Sequence, residues 1–294
     1  MLTAARTALV PAIAFSSCLV VATSGFQAGG AAPAGLGGAL TFHASFDNGP
    51  DADFGLGDRR IYTAESYKNR DGAKPGVHNP TVSILAGKGR HGAALEFKGK
   101  NTAAIYYEAA KNVDYRASDW SATVSFWLSL DPDQDLAGYA DPIQITDKEY
   151  NNAAVWVDFT NTIPRPFRLG VFPDFGAWNP EKVTGQTNPA FQRHLVAVPT
   201  PPFGRGKWTH VAFTLSGLNA QQPGTARLYL DGKPQGTTGP IPEMFTLDPS
   251  KTTIRLGVNY SGLFDDLSIF NRALSDAEIE GLYGMTTGAA GLHR

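Results

Sequence analysis

Apolar residues recur at every second position through most of this chain. In residues 122–130, Ala122, Val124, Phe126, Leu128 and Leu130 alternate with Thr123, Ser125, Trp127 and Ser129. Period two is the signature of a strand that buries one face. Residues 40–46 repeat it with Leu40, Phe42, Ala44 and Phe46, and Asp47-Asn48-Gly49-Pro50 closes that run as a turn. Shorter runs of the same kind predict strands near 81–86, 94–97, 103–107, 142–146, 153–159, 167–172, 194–198, 252–258 and 263–270. Residues 207–236 carry the strongest local signal. A strand with Val211, Phe213 and Leu215 on one face is followed by a polar loop, then by Leu228-Tyr229-Leu230 running into Asp231-Gly232. Asp-Gly suits a two-residue type I′ turn, because both central residues need positive φ. Residues 47–80 read as irregular, with short apolar fragments such as Ile61-Tyr62.

One helix signal stands at the end. Ser275-Asp276-Ala277-Glu278 forms a capping box, flanked by Leu274 and Ile279 at the staple positions, and Gly284 is placed to stop the helix. Many short strands and one terminal helix predict an all-β fold, an antiparallel β-sandwich of the jelly-roll kind.

Composition narrows the partners. The chain has 294 residues with 32 Gly, 20 Pro and a formal net charge of −2. That length suits one large sandwich. The charge offers no electrostatic footprint for nucleic acid or an anionic membrane. Residues 1–24 read as a secretory signal peptide: Arg6, an apolar run over 7–21, then Ala22-Thr23-Ser24. Cys18, the single cysteine, lies inside it, so the exported chain has no disulfide, thiol nucleophile or thiolate metal ligand. A lipoprotein anchored through Cys18 is the lesser alternative. Residues 25–39 are rich in Gly and Ala and read as a linker, residues 40–284 as the folded domain, and residues 285–294 as a flexible tail.

Several segments together resemble the LamG-like jelly-roll family of the concanavalin A-like lectin/glucanase superfamily. They are Gly89 to Gly99 (GRHGAALEFKG), Ala122 to Leu130 (ATVSFWLSL), Trp208 to Leu215 with Arg227 to Lys233, and Leu263 to Tyr283 (LFDDLSIFNRALSDAEIEGLY). The resemblance implies a concanavalin A-like sandwich over residues 40–284, and secreted use as a glycan-binding or adhesion module. Residues 131–206 are longer and richer in Pro than the family pattern.

Three groups of residues have candidate chemistry. Asp265-Asp266 lies within an apolar strand, where two adjacent carboxylates resist burial unless something positive meets them. Structural calcium held with Asp47, which follows the first strand, is one answer. The other is that Asp265 caps backbone amides or pairs with Arg272 while Asp266 is solvated. Asp174, Phe175, Trp178 and Asn179 sit in a Pro/Gly-rich loop, where aromatics can stack on sugar rings and polar neighbours orient hydroxyls. The competing reading folds these aromatics back onto the sandwich. Trp127, Tyr139 and Tyr150 are weaker candidates of the same kind. Catalytic motifs are missing: the histidines are scattered, and Asp158 has no second acid beside it on its strand. The expected function is therefore a secreted, non-catalytic module that recognises a ligand, a glycan first and an extracellular protein second. A hydrolase or lyase with dispersed acids, and a surface-scaffold module, are the alternatives.

Overall fold

The computed structural model describes Met1, residues 35–99 and residues 103–293. Chain order gives β1 (Leu40–Ala44), β2 (Phe54–Gly55), β3 (Ile61–Ala64), β4 (Lys74–Pro75), β5 (Val82–Leu85), β6 (Ala94–Phe97) and β7 (Ala104–Glu108). The long β8 (Trp120–Ser129) follows, then β9 (Ala140–Thr146), β10 (Ala154–Phe159), β11 (Phe167–Phe172) and β12 (Leu195–Val198). The set ends with β13 (Thr209–Leu218), β14 (Thr225–Leu230), β15 (Lys233–Thr237), β16 (Thr253–Val258) and β17 (Gly262–Phe270). Among the described residues these strands form two antiparallel sheets. One runs β15-β14-β13-β8-β17-β1-β2, with β6 and then β5 added beside β17; the other runs β12-β11-β10-β9-β16-β7-β3-β4. The expected sandwich, jelly-roll class and short C-terminal helix are all present.

Period two decides what lies between the sheets. Phe213 and Leu215 of β13, Val124, Phe126 and Leu128 of β8, Val155, Val157 and Phe159 of β10, and Leu169 and Val171 of β11 all join one buried cluster. Phe126 and Phe264 stack there at 4.9 Å between ring centroids. Asp231 and Gly232 close the β14–β15 hairpin with φ of 49° and 76°, as the turn chemistry requires. The short β2, β3 and β4 are absent from the expectations, because strands this short leave little alternation to read.

Both ends of the domain extend beyond the boundaries expected. The signal peptide and residues 25–34 of the linker fall outside the described residues. The end of the linker is not a tether: Leu36–Ala39 is a helical turn, and Leu36 is fully buried. Nor is the tail free. Met285 is buried, and the 3-10 turn Gly288–His293 lays Leu292 against the same patch. These segments, with Leu274 and with Ile279 and Leu282 of the helix Asp276–Gly284, cover Ala212, Tyr229 and Phe270 on the outer face of the larger sheet. That apolar outer face is the physical reason they are ordered: it needs a cover. Burying Met285 alone is worth about 2 kcal/mol. Deleting residues 285–294 is expected to lower the melting temperature by several degrees, measured calorimetrically; a frayed tail would leave it unchanged.

Candidate functional site

The smaller sheet leaves its outer face open, and the strand registers assemble that face into rows. Tyr62 of β3 pairs with Tyr106 of β7, Tyr106 with Arg255 of β16, and Arg255 with Gln144 of β9. Gln144 pairs with Trp156 of β10, and Trp156 with Gly170 of β11. All are outward positions, because their sequence neighbours fill the core. A Cβ on residue 170 would stand 2.3 Å from the Trp156 ring, so glycine there lets the indole lie flat across β11. The next row sets Asp158 of β10 opposite Arg168 of β11.

Above these rows lies a cavity of about 950 Å³. Tyr67, Tyr139 and Tyr150 wall it, and Asp141, Asp158 and Arg168 belong to its floor. Tyr139 and Tyr150 are 39% and 46% exposed. Two hydrogen-bonded groups make up the polar floor. Arg255 Nη1 donates to Gln144 Oε1 at 2.7 Å, and Gln144 Nε2 donates to Asp141 Oδ2 at 3.0 Å. Arg168 grips Asp158 with two donors, Nε at 2.8 Å and Nη2 at 2.5 Å. Its guanidinium also lies over the rings of Tyr139 and Trp156, 5.5 Å from each centroid. Burial, and then the neighbouring charge of Asp158, push the Asp141 carboxyl well above the usual range, with Arg168 opposing. Burial also pushes Asp158 up, against the hydrogen bonds and charge of Arg168. The strand of Asp158 does lack a second acid, but its neighbour β9 supplies one.

The loop residues expected to bind sugar are elsewhere. Phe175–Trp178 folds into one helical turn, and Trp178 is only 4% exposed. Phe172, Phe175, Phe191 and His194 surround its ring at 5.3 to 6.0 Å between centroids, and its Nε1 donates to the Asn151 carbonyl. The expectation of an exposed stacking face at Trp178 is corrected: an apolar cluster beside β10 and β11 takes the ring out of water. Phe175 packs edge-on against it. Asn179 clamps its own loop through both backbone groups of Val183. Asp174 accepts from Thr246 N at 3.3 Å and faces Lys148 at 3.8 Å. Trp127 is likewise covered, by Arg90, His91 and Tyr283. Tyr139 and Tyr150, the weaker candidates, are the ones that border the cavity.

Asp47 and Asp265 meet at one turn. Asp47 Oδ1 accepts from Ala93 N at 2.6 Å, and Asp265 Oδ2 accepts from His91 N at 3.0 Å. Asp265 Oδ1 is buried without a hydrogen-bond partner. Asp266 is engaged elsewhere. Its φ of 53° marks a bulge in β17, and its oxygens accept from Ala289 N and approach His43 at 3.6 Å. It is buried rather than solvated, and Arg272 pairs with Glu278, not with Asp265. Among the described residues no three His, Cys, Asp or Glu side chains group as a cation-ligand set. Burial, with the charge of Asp266 adding, pushes Asp265 up to about 8. Burial likewise pushes Asp266 up to about 7, and pushes His210, which shares a hydrogen bond with Ser125, down to about 3.

An acid whose folded pKa is raised stabilises the fold fully below its unfolded value and loses that contribution as pH rises through the folded value. For Asp265 the window runs from about 4 to about 8. In EDTA, the melting temperature should therefore fall across that window, and Asp265→Asn should flatten the fall. Equal slopes for the two proteins, followed by calorimetry at stepped pH, would contradict the burial of an unpaired Asp265.

Comparison with known proteins agrees with this architecture. A Laminin G family model, described as the concanavalin A-like lectin/glucanases superfamily, matches residues 100–280. Curated proteins give no sequence match. Among solved structures, domain 4 of AbnA, a GH43 extracellular arabinanase from Geobacillus stearothermophilus, in complex with arabinotriose, superposes with a TM-score of 0.53 at 19% identity. That match covers 82% of this chain and 97% of that domain. The botulinum neurotoxin serotype G binding domain gives 0.53 at 14% identity, over 82% of this chain and 50% of that one. The binding domain of botulinum neurotoxin DC, in complex with rat synaptotagmin II, gives 0.53 at 13%, over 84% and 52%. The chain thus spans about half the length of these toxin domains. At such identities the likeness establishes the shared fold.

Proposed function

The chain belongs to the concanavalin A-like lectin/glucanase superfamily, and from that premise we propose that it is a secreted glycan-recognition module that binds its ligand without transforming it. One observation carries the reading: the outer face of the β3–β12 sheet holds an open cavity with half-exposed tyrosines above a hydrogen-bonded polar floor. Aromatic faces stack on the apolar faces of sugar rings, and fixed polar groups select hydroxyl orientations. A ligand-binding use is consistent with the similar folds, one solved with arabinotriose and one with synaptotagmin II. Export is read from the sequence of residues 1–24 alone. Among the described residues, no helix is long and apolar enough to cross a membrane.

Binding is favoured over hydrolysis by the state of the two floor acids. Asp158 is held by both prongs of Arg168, which ties up its oxygens, and Asp141 accepts from Gln144. Tyr150→Ala should weaken glycan binding about tenfold, the equivalent of about 1.4 kcal/mol. The fold should survive, since the Trp156 indole bonds only the main-chain carbonyl of Tyr150. Titration calorimetry with the best ligand from a glycan array would read the effect. Release of a shortened saccharide in the same samples would make the protein an enzyme instead.

Calcium at Asp47 and Asp265 is a separate proposal. Its support is the turn they share and the unpartnered Asp265 Oδ1, a carboxyl oxygen of the kind a hard cation takes. Asp266, occupied by Ala289 N, is the weakest member of the expected set. Added calcium should raise the melting temperature by mass action, EDTA should reverse it, and Asp265→Asn should abolish the response. A melting curve indifferent to both additions would leave Asp265 as a capping group only.

A further inference from the structure

Resting on the reading of the cavity as a glycan site, we propose that its ligand is anionic, a saccharide whose carboxylate or sulfate group is gripped by Arg70 and Arg255. The cations lining the cavity divide into two kinds. Lys68 pairs with Glu149 at 2.9 Å, Lys148 with Asp147 at 3.5 Å, Arg168 with Asp158 at 2.5 Å, and Lys251 with Asp248 at 3.3 Å. Arg70 and Arg255 line the same cavity and enter no ion pair among the described residues.

Arg255 is the more demanding of the two. It is 9% exposed, and all its acceptors are neutral: Gln144 Oε1, the Lys148 carbonyl and Thr253 Oγ1. Its guanidinium lies 4.8 Å from the centroid of the Tyr67 ring. Arg70 donates Nη2 to the Lys251 carbonyl at 2.8 Å and lies over Tyr106, the residue that pairs with Arg255 across β7 and β16. Its Nη1 is buried with no acceptor. Burial lowers the pKa of Arg255 and the charge of Arg70 adds to the fall, against Tyr67 and the carboxylates of Glu149 and Asp147, neither of which bonds it.

A guanidinium does not shed its proton at any ordinary pH, so neither arginine can escape the cost of burial by neutralising itself. Two like charges over one sheet face, with a donor left open, are best compensated by an anion. Water could complete the hydrogen bond of Arg70 but could not offset the charge. A planar carboxylate or a sulfate presents several oxygens to a forked donor and supplies both. The tyrosines then hold the sugar ring that carries it.

A glycan array of matched pairs tests this on the full chain: uronate glycans beside their methyl esters, and sulfated glycans beside their desulfated forms. Binding should favour the charged member of a pair by about tenfold or more and weaken with added salt. The pair that responds distinguishes carboxylate from sulfate. Arg70→Gln, a partly buried position at the cavity rim, should remove that preference while the melting temperature holds; Arg255→Gln should do the same if it folds. Equal binding of charged and neutral members, unchanged in Arg70→Gln, would overturn the anionic ligand and leave the glycan site standing. Failure to bind any glycan would overturn both.

Discussion

Everything in this molecule follows from one apolar interior shared by two sheets. Each strand must give alternate positions to it, and the remaining positions are thereby aimed at the opposite face. In β10 the core takes Val155, Val157 and Phe159, which leaves Trp156 and Asp158 pointing outward. In β16 it takes Ile254 and Leu256, which leaves Arg255. No separate cause is needed for the polar rows on the outer face; they are the complement of the core. Antiparallel pairing then brings each outward residue within side-chain reach of its neighbours across the sheet.

The two outer faces are handled differently. That of the larger sheet is partly apolar, with Ala212, Tyr229 and Phe270, and is closed by the C-terminal helix together with both chain ends. That of the smaller sheet is mixed: Ala154 and Phe172 are covered by Trp178 and Phe191, while the part around Gln144, Asp158, Arg168 and Arg255 is polar and stays open. A covered apolar face contributes stability and offers nothing to a ligand. An open polar face contributes less stability but presents preorganised donors and acceptors, with their orientations fixed by β-strands rather than by loops. The proposed site on the smaller sheet rests on this asymmetry.

The fold was legible in the sequence because periodicity is local. Residues 94–97 and 167–172 were bounded as strands with no knowledge of their neighbours. The site was far less legible because it depends on strand order. Arg70, Gln144, Asp158, Arg168 and Arg255 are scattered along the chain, and only the order β11-β10-β9-β16-β7 gathers them. The four on strands do carry a signal, a polar residue at an outward position of a strong strand, but that signal alone names no partner, and Arg70, in the loop between β3 and β4, carries none. Asp158 shows the limit: the second acid, Asp141, stands on the preceding strand, across a bulge that shifts the register. The loop 170–180 misled for the opposite reason. Two aromatics close together among Pro and Gly look exposed, yet Trp178 had Phe172 and Phe191 to pack against, and burying an indole outweighs leaving it in water. The buried Asp265-Asp266 pair was visible as an anomaly, and the bulge that separates its two members was not.

The charges on the open face bear on what kind of site it is. A hydrolytic pair needs one carboxyl free to attack or activate water and another free to give a proton. Here Arg168 holds Asp158 in a two-pronged grip, and Gln144 connects Asp141 onward to Arg255. Acids bound into such a network orient the donors around them. Two lining groups are left with unused capacity, Arg70 Nη1 as a donor and Asp147 Oδ1, which faces Lys148, as an acceptor. The proposed anionic ligand rests on this pattern: aromatic walls, acids already bound to donors, and two arginines outside any ion pair among the described residues.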